Sequence, residues 1–157
     1  MGRDYLVVWA GRHQRPVWEG ICADYRERIG RLATVRDVPV KARSAADPRR
    51  LREEGRALLA ALPPSCWTIA LDAAGDSFSS EELARHLARL QDTWPHPVAF
   101  LIGSDLGLDP PVAAAARQRL SLSPLTLSHE LARVVLYEQL YRALSIGAGM
   151  SYHRGPN

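Results

Sequence analysis

Two turns carry residue types that suit a small organic ligand. The first, 103–107, reads Gly-Ser-Asp-Leu-Gly after an apolar run, and its glycines would let the backbone approach a ligand closely. The second, 122–127, combines the Ser123 and Thr126 hydroxyls with apolar side chains around Pro124. This composition could hold a flat, weakly polar ring through backbone hydrogen bonds, and a plain surface loop is the alternative.

A second group of polar residues lies on the last predicted helix and in the tail after it. The helix carries His129, Arg133, Glu138 and Arg142. Glu138 and Arg142 are four residues apart, so they could simply pair along the helix for about 0.2–0.5 kcal/mol. The tail, 152–154, places tyrosine, histidine and arginine in succession, which suits stacking on an unstacked base and contacting its edge or phosphate.

Several common catalytic motifs are missing. The turn at 103–107 lacks the GxGxxG spacing, and no GK[ST] is present, so neither a dinucleotide fold nor P-loop hydrolysis is indicated. The turn at 75–79 resembles a nucleophile elbow but lacks its second glycine. The one lysine, Lys41, lies in a polar stretch, which disfavours Schiff-base chemistry. Cys22 and Cys66 stand apart from any histidine pair, so we expect reduced thiols and no metal site.

Length and charge bound the class of protein. With 157 residues, 46% hydrophobic and 24% charged, the chain is expected to form one domain over 1–157. Its apolar runs are too short for a membrane-spanning helix or a signal peptide, so we expect a soluble, cytoplasmic protein without a membrane partner. Residues 1–56 hold 13 basic and 8 acidic side chains, which could face nucleic acid phosphates or form solvated helix faces.

Apolar runs and helical spacing alternate along the chain and predict an α/β fold. Strands are predicted at 5–10, 33–40, 67–72, 98–102 and 120–122, and helices at 17–29, 47–62, 79–93, 109–117 and 128–146. The pattern at 33–40 is typical of an edge strand. We therefore expect a mainly parallel five-stranded sheet with helices on both faces. Ligands of such sheets bind beyond the carboxyl ends of the strands, here after Leu71, Ile102 and Leu122.

Local signals mark the ends of these elements. Asp47, followed by proline, is predicted to cap the second helix. Ser79 with Glu82 three residues later has the form of a capping box, and Ser128 is predicted to cap the last helix. Residues 73–76 are predicted to form a turn that closes the third strand.

The last predicted helix has more apolar surface than one contact needs. Residues 134–137 read Val-Val-Leu-Tyr and cover more than one helix face. One side can pack on the sheet, and the preceding helix is too short and alanine-rich to cover the other well. A two-fold homodimer is the prediction that follows, with coverage by the preceding helix as the alternative.

One set of motifs is specific only when its members are taken together. It consists of Leu71-Asp72, Ile102-Gly103 with Gly107, Leu120-Ser121-Leu122-Ser123, Leu125-Thr126, His129, Arg133-Val134, Glu138-Gln139, Tyr141-Arg142-Ala143 and Tyr152-His153-Arg154. This set resembles the large-subunit ribosomal RNA methyltransferase H family. Those proteins are pseudouridine N3-methyltransferases of the SPOUT, or α/β-knot, class. The resemblance covers the whole chain and is strongest from Trp67 to Arg154.

The resemblance implies a fold, a cofactor and partners. It implies a C-terminal trefoil knot, an obligate homodimer, and S-adenosylmethionine bound in a bent shape by the knotted loops. Carried over, the cofactor site comprises Leu71, Gly103, Leu122, Ser123, Pro124, Leu125, Thr126 and Leu127. The implied substrate is 23S ribosomal RNA in the assembled ribosome, and we assign RNA contacts to His129, Arg133 and Glu138.

The tail residues receive catalytic roles on the same basis. His153 is the candidate to accept or relay the proton of the ring nitrogen. Arg154 and Arg142 would stabilise the developing ring anion or nearby phosphates, and Tyr152 would stack on the target base. The tail would complete a site formed with the other subunit.

The chain departs from the family pattern at three positions, and other functions stay open. Ser104 and Leu106 stand where the family usually has a glycine and a glutamate, Asp105 could replace that acid, and Ser128 replaces a proline. The competing interpretation is a non-enzymatic RNA- or ribosome-binding module that needs no cofactor. A small-molecule nucleotide enzyme is a weaker one, because the usual nucleotide signatures are missing.

Overall fold

The computed structural model describes residues 3–11 and 15–154, in which strands and helices alternate as predicted. In chain order the elements are β1 (Asp4–Ala10), α1 (Pro16–Ile29), β2 (Thr34–Val40), α2 (Asp47–Ala60), β3 (Trp67–Ser77), α3 (Ser80–Thr93), β4 (Val98–Ile102), α4 (Pro110–Ala115), β5 (Gln118–Ser121) and α5 (His129–Gly147). Within the described residues, none of these helices is long and apolar enough to cross a membrane.

The strands form one five-stranded sheet in the order β2-β1-β4-β3-β5. Every pairing between neighbouring strands is parallel. β4 is buried along its whole length, as its unbroken apolar run predicts, and β2 lies at an edge. The predicted parallel sheet is confirmed.

Helices cover both faces of the sheet, because alternate residues of each strand point to opposite sides. Tyr5 and Val7 of β1 belong to a core shared with α1, α3 and α5. Leu6 and Val8 belong to a smaller core closed by α2 and α4, with Leu58 as the buried contact from α2. The predicted helices on both faces are confirmed.

The predicted cap of α2 is wrong by one residue. Ala46 occupies the N-cap position without a side-chain hydrogen bond, and Asp47 lies in the first helical turn. The other two predicted caps are confirmed. Ser79 and Glu82 form both hydrogen bonds of the capping box of α3, and the Ser128 side chain accepts from the Leu131 N–H at the start of α5.

The ends of β3 and β5 also differ from the prediction. β3 does not end before a turn at 73–76 but continues to Ser77, with an irregularity in its pairing with β5. The two backbones approach closely there, since a Cβ on Gly75 would lie 2.7 Å from the carbonyl of Arg119. β5 spans Gln118–Ser121 rather than 120–122.

The second side of α5 is covered by the chain itself. α1 and α3 flank α5 on the same face of the sheet, whereas α4 lies on the opposite face. The sequence argument that the chain offers little to cover the second side of α5 is therefore wrong, and so is the alternative that α4 covers it. The homodimer stays a prediction that needs other support.

Candidate functional site

A cleft opens at the carboxyl ends of β4 and β5, beside the part of β3 that follows its pairing with β4. Its walls come from residues 71–73 of β3, the β4–α4 turn, the β5–α5 loop and the first turn of α5. The lining residues are Leu71, Asp72, Ala73, Ile102, Gly103, Ser104, Gly107, Leu108, Leu122, Ser123, Leu125, Thr126, Leu127, His129 and Ala132. The turns singled out in the sequence thus form one cleft, as the carboxyl-edge rule predicts.

The β4–α4 turn owes its shape to two glycines. The Gly107 N–H donates to the Ser104 carbonyl over 2.9 Å. Gly107 has a φ of +79°, in the left-handed region that favours glycine. A Cβ on Gly103 would lie 2.3 Å from the carbonyl of Gly107, so any side chain at position 103 would prevent this return of the chain.

The β5–α5 loop is held by hydroxyl groups close to the strand. Ser121 Oγ donates to the Ser123 carbonyl over 3.1 Å, and Ser123 Oγ accepts from the Leu125 N–H over 2.9 Å. The Leu125 side chain is 74% exposed at the cleft. These two hydrogen bonds hold the backbone of the loop in place. The loop therefore offers a ligand an apolar side chain and main-chain polar groups.

Seven of the eight residues predicted to hold a cofactor line this cleft, and Pro124 does not. Among the residues that the structure describes, Asp72 and His129 are the ionisable side chains of its lining. Asp72 accepts from the Ala74 N–H over 2.9 Å and lies 3.6 Å from Arg119. The described residues form no His, Cys, Asp and Glu group suited to a metal ion. The cleft suits a flat, weakly polar ligand better than a polyanion.

The predicted catalytic tail residues join a second group, here named the C-terminal cluster: Glu81, Glu138, Arg142, Tyr152 and His153. Arg142 donates to Glu138 over 2.6 Å and lies 3.0 Å from Nδ1 of His153. Nε2 of His153 is 2.8 Å from Glu81 on α3. The Tyr152 hydroxyl donates to Glu138 over 3.2 Å. The helical Glu138–Arg142 pair considered in the sequence is thus confirmed.

These contacts fix the tautomer of His153. A guanidinium group only donates, so Nδ1 must accept from Arg142, and Nε2 then carries the proton that is donated to Glu81. The hydrogen bond with His153 is the largest cause that holds the pKa of Glu81 below its ordinary value. The hydrogen bond to Glu138 raises the pKa of Arg142. Both ring nitrogens of His153 are therefore engaged.

Tyr152 joins the tail to α1 and α5. Its ring packs edge-on against Tyr141 at 4.6 Å, with the Arg142 guanidinium 4.8 Å from its centroid. Its hydroxyl lies 3.5 Å from the hydroxyl of Tyr25. Burial is the main cause that raises the pKa of Tyr152, and the contact with Tyr25 is the second. Arg154, the next cation along the tail, is exposed. The tail is thus docked on the protein, and its last described residue is exposed to solvent.

The cleft and the C-terminal cluster both include residues of α5. Ala132 at the cleft and Glu138 in the cluster are six positions apart, about 9 Å along the helix. His129 at the cleft and Arg142 in the cluster are separated by 13 positions. At the rise of an α-helix this corresponds to about 20 Å. Within the part of the chain that the structure describes, none of the predicted catalytic residues lines the cleft.

The three residues assigned to RNA contact have different surroundings. His129 lines the cleft, and Glu138 is held in the C-terminal cluster. Arg133 is only 3% exposed, so the assigned RNA contact is wrong for this residue. Its guanidinium pairs with Asp37 at 2.7 Å and with Glu19 at 3.0 Å. Arg133 is a buried structural cation.

Two residues of these sites were missed in the sequence. Glu81 was given no role in the sequence analysis, and it lies 72 positions from His153, so no local pattern pairs them. Asp72 appeared in the motif set but not among the site residues, although it lines the cleft. Its place at the end of the predicted third strand, directly after Leu71, was the signal that could have found it.

Comparison with known proteins relates the whole chain to one family. A family model described as "Predicted SPOUT methyltransferase" matches residues 4–153. Ribosomal RNA large subunit methyltransferase H of Solidesulfovibrio magneticus is 44% identical over 149 residues, covering 94% of this chain and 96% of that protein. The protein of the same name from Acidithiobacillus ferrooxidans is 46% identical over 158 residues, covering 96% and 97%.

Solved structures support the fold at lower sequence identity. A probable methylase family protein from Haemophilus influenzae aligns with a TM-score of 0.57 at 11% identity, over 99% of this chain and 72% of that one. A probable methyltransferase from Bordetella pertussis aligns with a TM-score of 0.56 at 19% identity, over 91% and 96%. At these identities the likeness concerns the fold alone.

Proposed function

The chain belongs to the SPOUT methyltransferase family, and we propose that it methylates N3 of a pseudouridine in large-subunit ribosomal RNA with S-adenosylmethionine as donor. Several relatives that match nearly the whole chain carry the name ribosomal RNA large subunit methyltransferase H. The assembled ribosome is the proposed substrate, which would also place the protein in the cytoplasm. The family also leads us to expect a C-terminal trefoil knot.

The observation that carries this proposal is the convergence of a segment of β3, the β4–α4 turn and the β5–α5 loop on one mainly apolar cleft at the carboxyl edge of the sheet. The residues present fit S-adenosylmethionine. Leu71, Leu122 and Leu127 offer apolar surface for a flat base, and the main chain from 122 to 127 offers donors and acceptors. Asp72 supplies a carboxylate that could meet the ammonium group of the cofactor.

The cleft would favour the chemistry through its low polarity. When bound, S-adenosylmethionine supplies a methyl group that its sulfonium already activates. The sparsely charged lining disfavours a full positive charge, and methyl transfer removes that charge, so this environment lowers the barrier. The chain's remaining tasks are to align the target ring and to accept its N3 proton.

We assign the proton step to the C-terminal cluster. His153 would accept the N3 proton at Nδ1 once the Arg142 guanidinium turns from the imidazole toward the target. Glu81 would hold the ring through Nε2 and stabilise the imidazolium, the role that a carboxylate plays beside a histidine base. Arg142 and Arg154 would then face the developing ring anion or a phosphate, and Tyr152 would stack on the base.

A homodimer is part of the same proposal. None of the predicted catalytic residues lines the cleft of the described chain, and Arg142 stands about 20 Å along α5 from His129 at the cleft. A two-fold partner could bring its own cluster to this cleft, and each dimer would then contain two equivalent composite sites.

The test incubates the protein with methyl-labelled S-adenosylmethionine and, separately, with free RNA, large subunits and whole ribosomes from cells that lack the modification. We expect label in the RNA of whole ribosomes, mapped to one pseudouridine. Label on free RNA alone would show that the substrate is free RNA and not the assembled ribosome. Absence of label together with absence of cofactor binding would overturn the methyltransferase proposal and favour a non-enzymatic RNA-binding module.

A further inference from the structure

Helix α2 lies on the opposite face of the sheet from α5, yet its side chains reach the cleft from behind. Two of them contact the β4–α4 turn. Glu54 meets Ser104, which lines the cleft, and Arg50 meets Asp105, the next residue of the turn. These four residues form a polar connection between α2 and the cleft wall.

The contact between Ser104 and Glu54 is buried and short. Glu54 is 3% exposed and Ser104 is 7% exposed, and the Ser104 hydroxyl donates to Glu54 Oε2 over 2.7 Å. The same hydroxyl oxygen accepts from the Leu106 N–H over 3.2 Å. One side chain therefore joins the backbone of the turn to a carboxylate on α2. Loss of either partner would leave the other buried without its hydrogen bond, which is costly.

The contact between Arg50 and Asp105 is closer to solvent. The Arg50 guanidinium donates to both carboxylate oxygens of Asp105, over 3.1 and 3.0 Å, and the Asp105 side chain is 61% exposed. Arg50 Nε also lies 3.7 Å from Glu54. Because exposed ion pairs contribute little, this contact supports the turn less than the buried one does.

Tight packing keeps α2 at a fixed distance from the segment that follows the turn. A Cβ on Gly55 would lie 2.9 Å from Asp109 Cβ and 3.1 Å from a methyl group of Val112. α2 therefore touches the start of α4 through a residue without a side chain. Glu54 precedes this point by one residue, so its carboxylate is held against the turn by the helix as a whole.

We propose that Glu54, acting through Ser104, is a positioning residue for the cofactor cleft, and that Arg50 adds a weaker support through Asp105. The inference rests on the proposed function in taking S-adenosylmethionine as the ligand of the cleft. Glu54 holds the β4–α4 turn in the shape that lines the cleft, so its loss weakens cofactor binding. Because its side chain is buried, its loss leaves the surface available to RNA unchanged.

The experiment titrates S-adenosylmethionine into the full-length protein by calorimetry and records thermal melting in parallel. Ser104→Ala and Glu54→Leu each raise the Kd about tenfold, because each leaves one partner unpaired. Glu54→Gln keeps an acceptor oxygen and restores most of the affinity. The double variant Ser104→Ala/Glu54→Leu binds no more weakly than either single variant, because both partners of the lost bond are gone.

Glu53→Leu is the matched control, since Glu53 lies on the same helix but accepts from the Arg43 and Ser44 N–H groups, away from the turn. It lowers the melting temperature and leaves the Kd unchanged. In steady state, Glu54→Leu raises the KM for S-adenosylmethionine and not that for ribosomes.

Failure of this inference can be distinguished from failure of the proposed function. Wild-type binding with unchanged affinity in Ser104→Ala and Glu54→Leu overturns the inference alone. No binding by the wild-type protein overturns the proposed function, and this inference falls with it.

Discussion

At position 103 only a hydrogen atom fits between the end of β4 and the returning chain. A Cβ there would lie 2.3 Å from the carbonyl of Gly107, which is backbone and cannot turn aside. Gly103→Ala should therefore displace the β4–α4 turn and abolish measurable S-adenosylmethionine binding in a calorimetric titration.

Gly20→Ala is the matched control for this change. Gly20 lies in the middle of α1, and a Cβ there would meet nothing within 4 Å. The replacement should stabilise the protein by about 0.5–1 kcal/mol and leave cofactor affinity unchanged. Normal binding by Gly103→Ala would mean that the turn does not shape the cofactor site.

His153 offers a second test at the residue scale, because its two ring nitrogens contact groups that the cleft does not use. His153→Ala should lower methyl transfer at least about 100-fold, the usual contribution of a general base, while the Kd for S-adenosylmethionine stays the same. The measurements are single-turnover transfer to ribosomes and cofactor titration. Unaltered turnover would remove His153 from the mechanism.

Arg133 shows how a buried cation can be mistaken for an RNA ligand. Its partners Asp37 and Glu19 come from β2 and α1, about a hundred positions away in the chain, and its guanidinium lies 4.4 Å from the centroid of the Trp9 ring. The sequence of α5 contains no pattern that predicts these contacts. From its sequence neighbours alone, an arginine on a helix is as consistent with a phosphate partner as with a buried carboxylate.

Arg133→Met should therefore act on stability. Removing one member of a buried ion pair leaves Asp37 short of a partner and should cost about 3 kcal/mol in urea unfolding. Arg154→Met, at an exposed position, should change the unfolding free energy by less than about 0.5 kcal/mol. Equal stability of both variants would contradict the buried role.

Among the elements, those with strong local signals were predictable and those shaped by neighbours were not. The unbroken apolar run of β4 and the capping box of α3 were located to the residue. The continuation of β3 to Ser77 was missed because it depends on pairing with β5, which follows about forty residues later. The cover of α5 was misjudged because α1 and α3 reach it only through the topology of the sheet.

The same distinction applies to the candidate site. The turns of the cleft could be found because the carboxyl edge of a parallel sheet collects them whatever the details of packing. The Glu81–His153 contact and the connection from α2 to Ser104 could not be found, since each joins residues at least 50 positions apart.

The capping box gives a test at the element scale. Ser79 Oγ accepts from the Glu82 N–H over 3.1 Å at the start of α3, the helix that also presents Glu81 to the tail. Ser79→Ala should lower the unfolding free energy by about 1 kcal/mol in urea. Ser151→Ala, in an exposed turn, is the control and should have little effect. A similar loss in both would show that the cap contributes nothing specific.

For the whole molecule, the absence of the predicted catalytic residues from the lining of the described cleft makes a prediction about cooperation between two copies. If each working site takes its cleft from one chain and its cluster from the other, two inactive variants can complement each other. Gly103→Ala retains an intact cluster, and His153→Ala retains an intact cleft. A dimer of one chain of each kind contains one complete composite site and one doubly defective site.

Co-expression of the two variants with different tags, followed by tandem purification, isolates this mixed dimer. Its methyl transfer to ribosomes should recover to about half of the wild-type rate per dimer, because one of two equivalent sites is restored. Each variant purified alone is the control and should stay inactive. If both residues act within one chain, the mixed dimer has no complete site and remains as inactive as the controls. Recovery of activity therefore distinguishes a site shared between two copies from a site contained in a single copy.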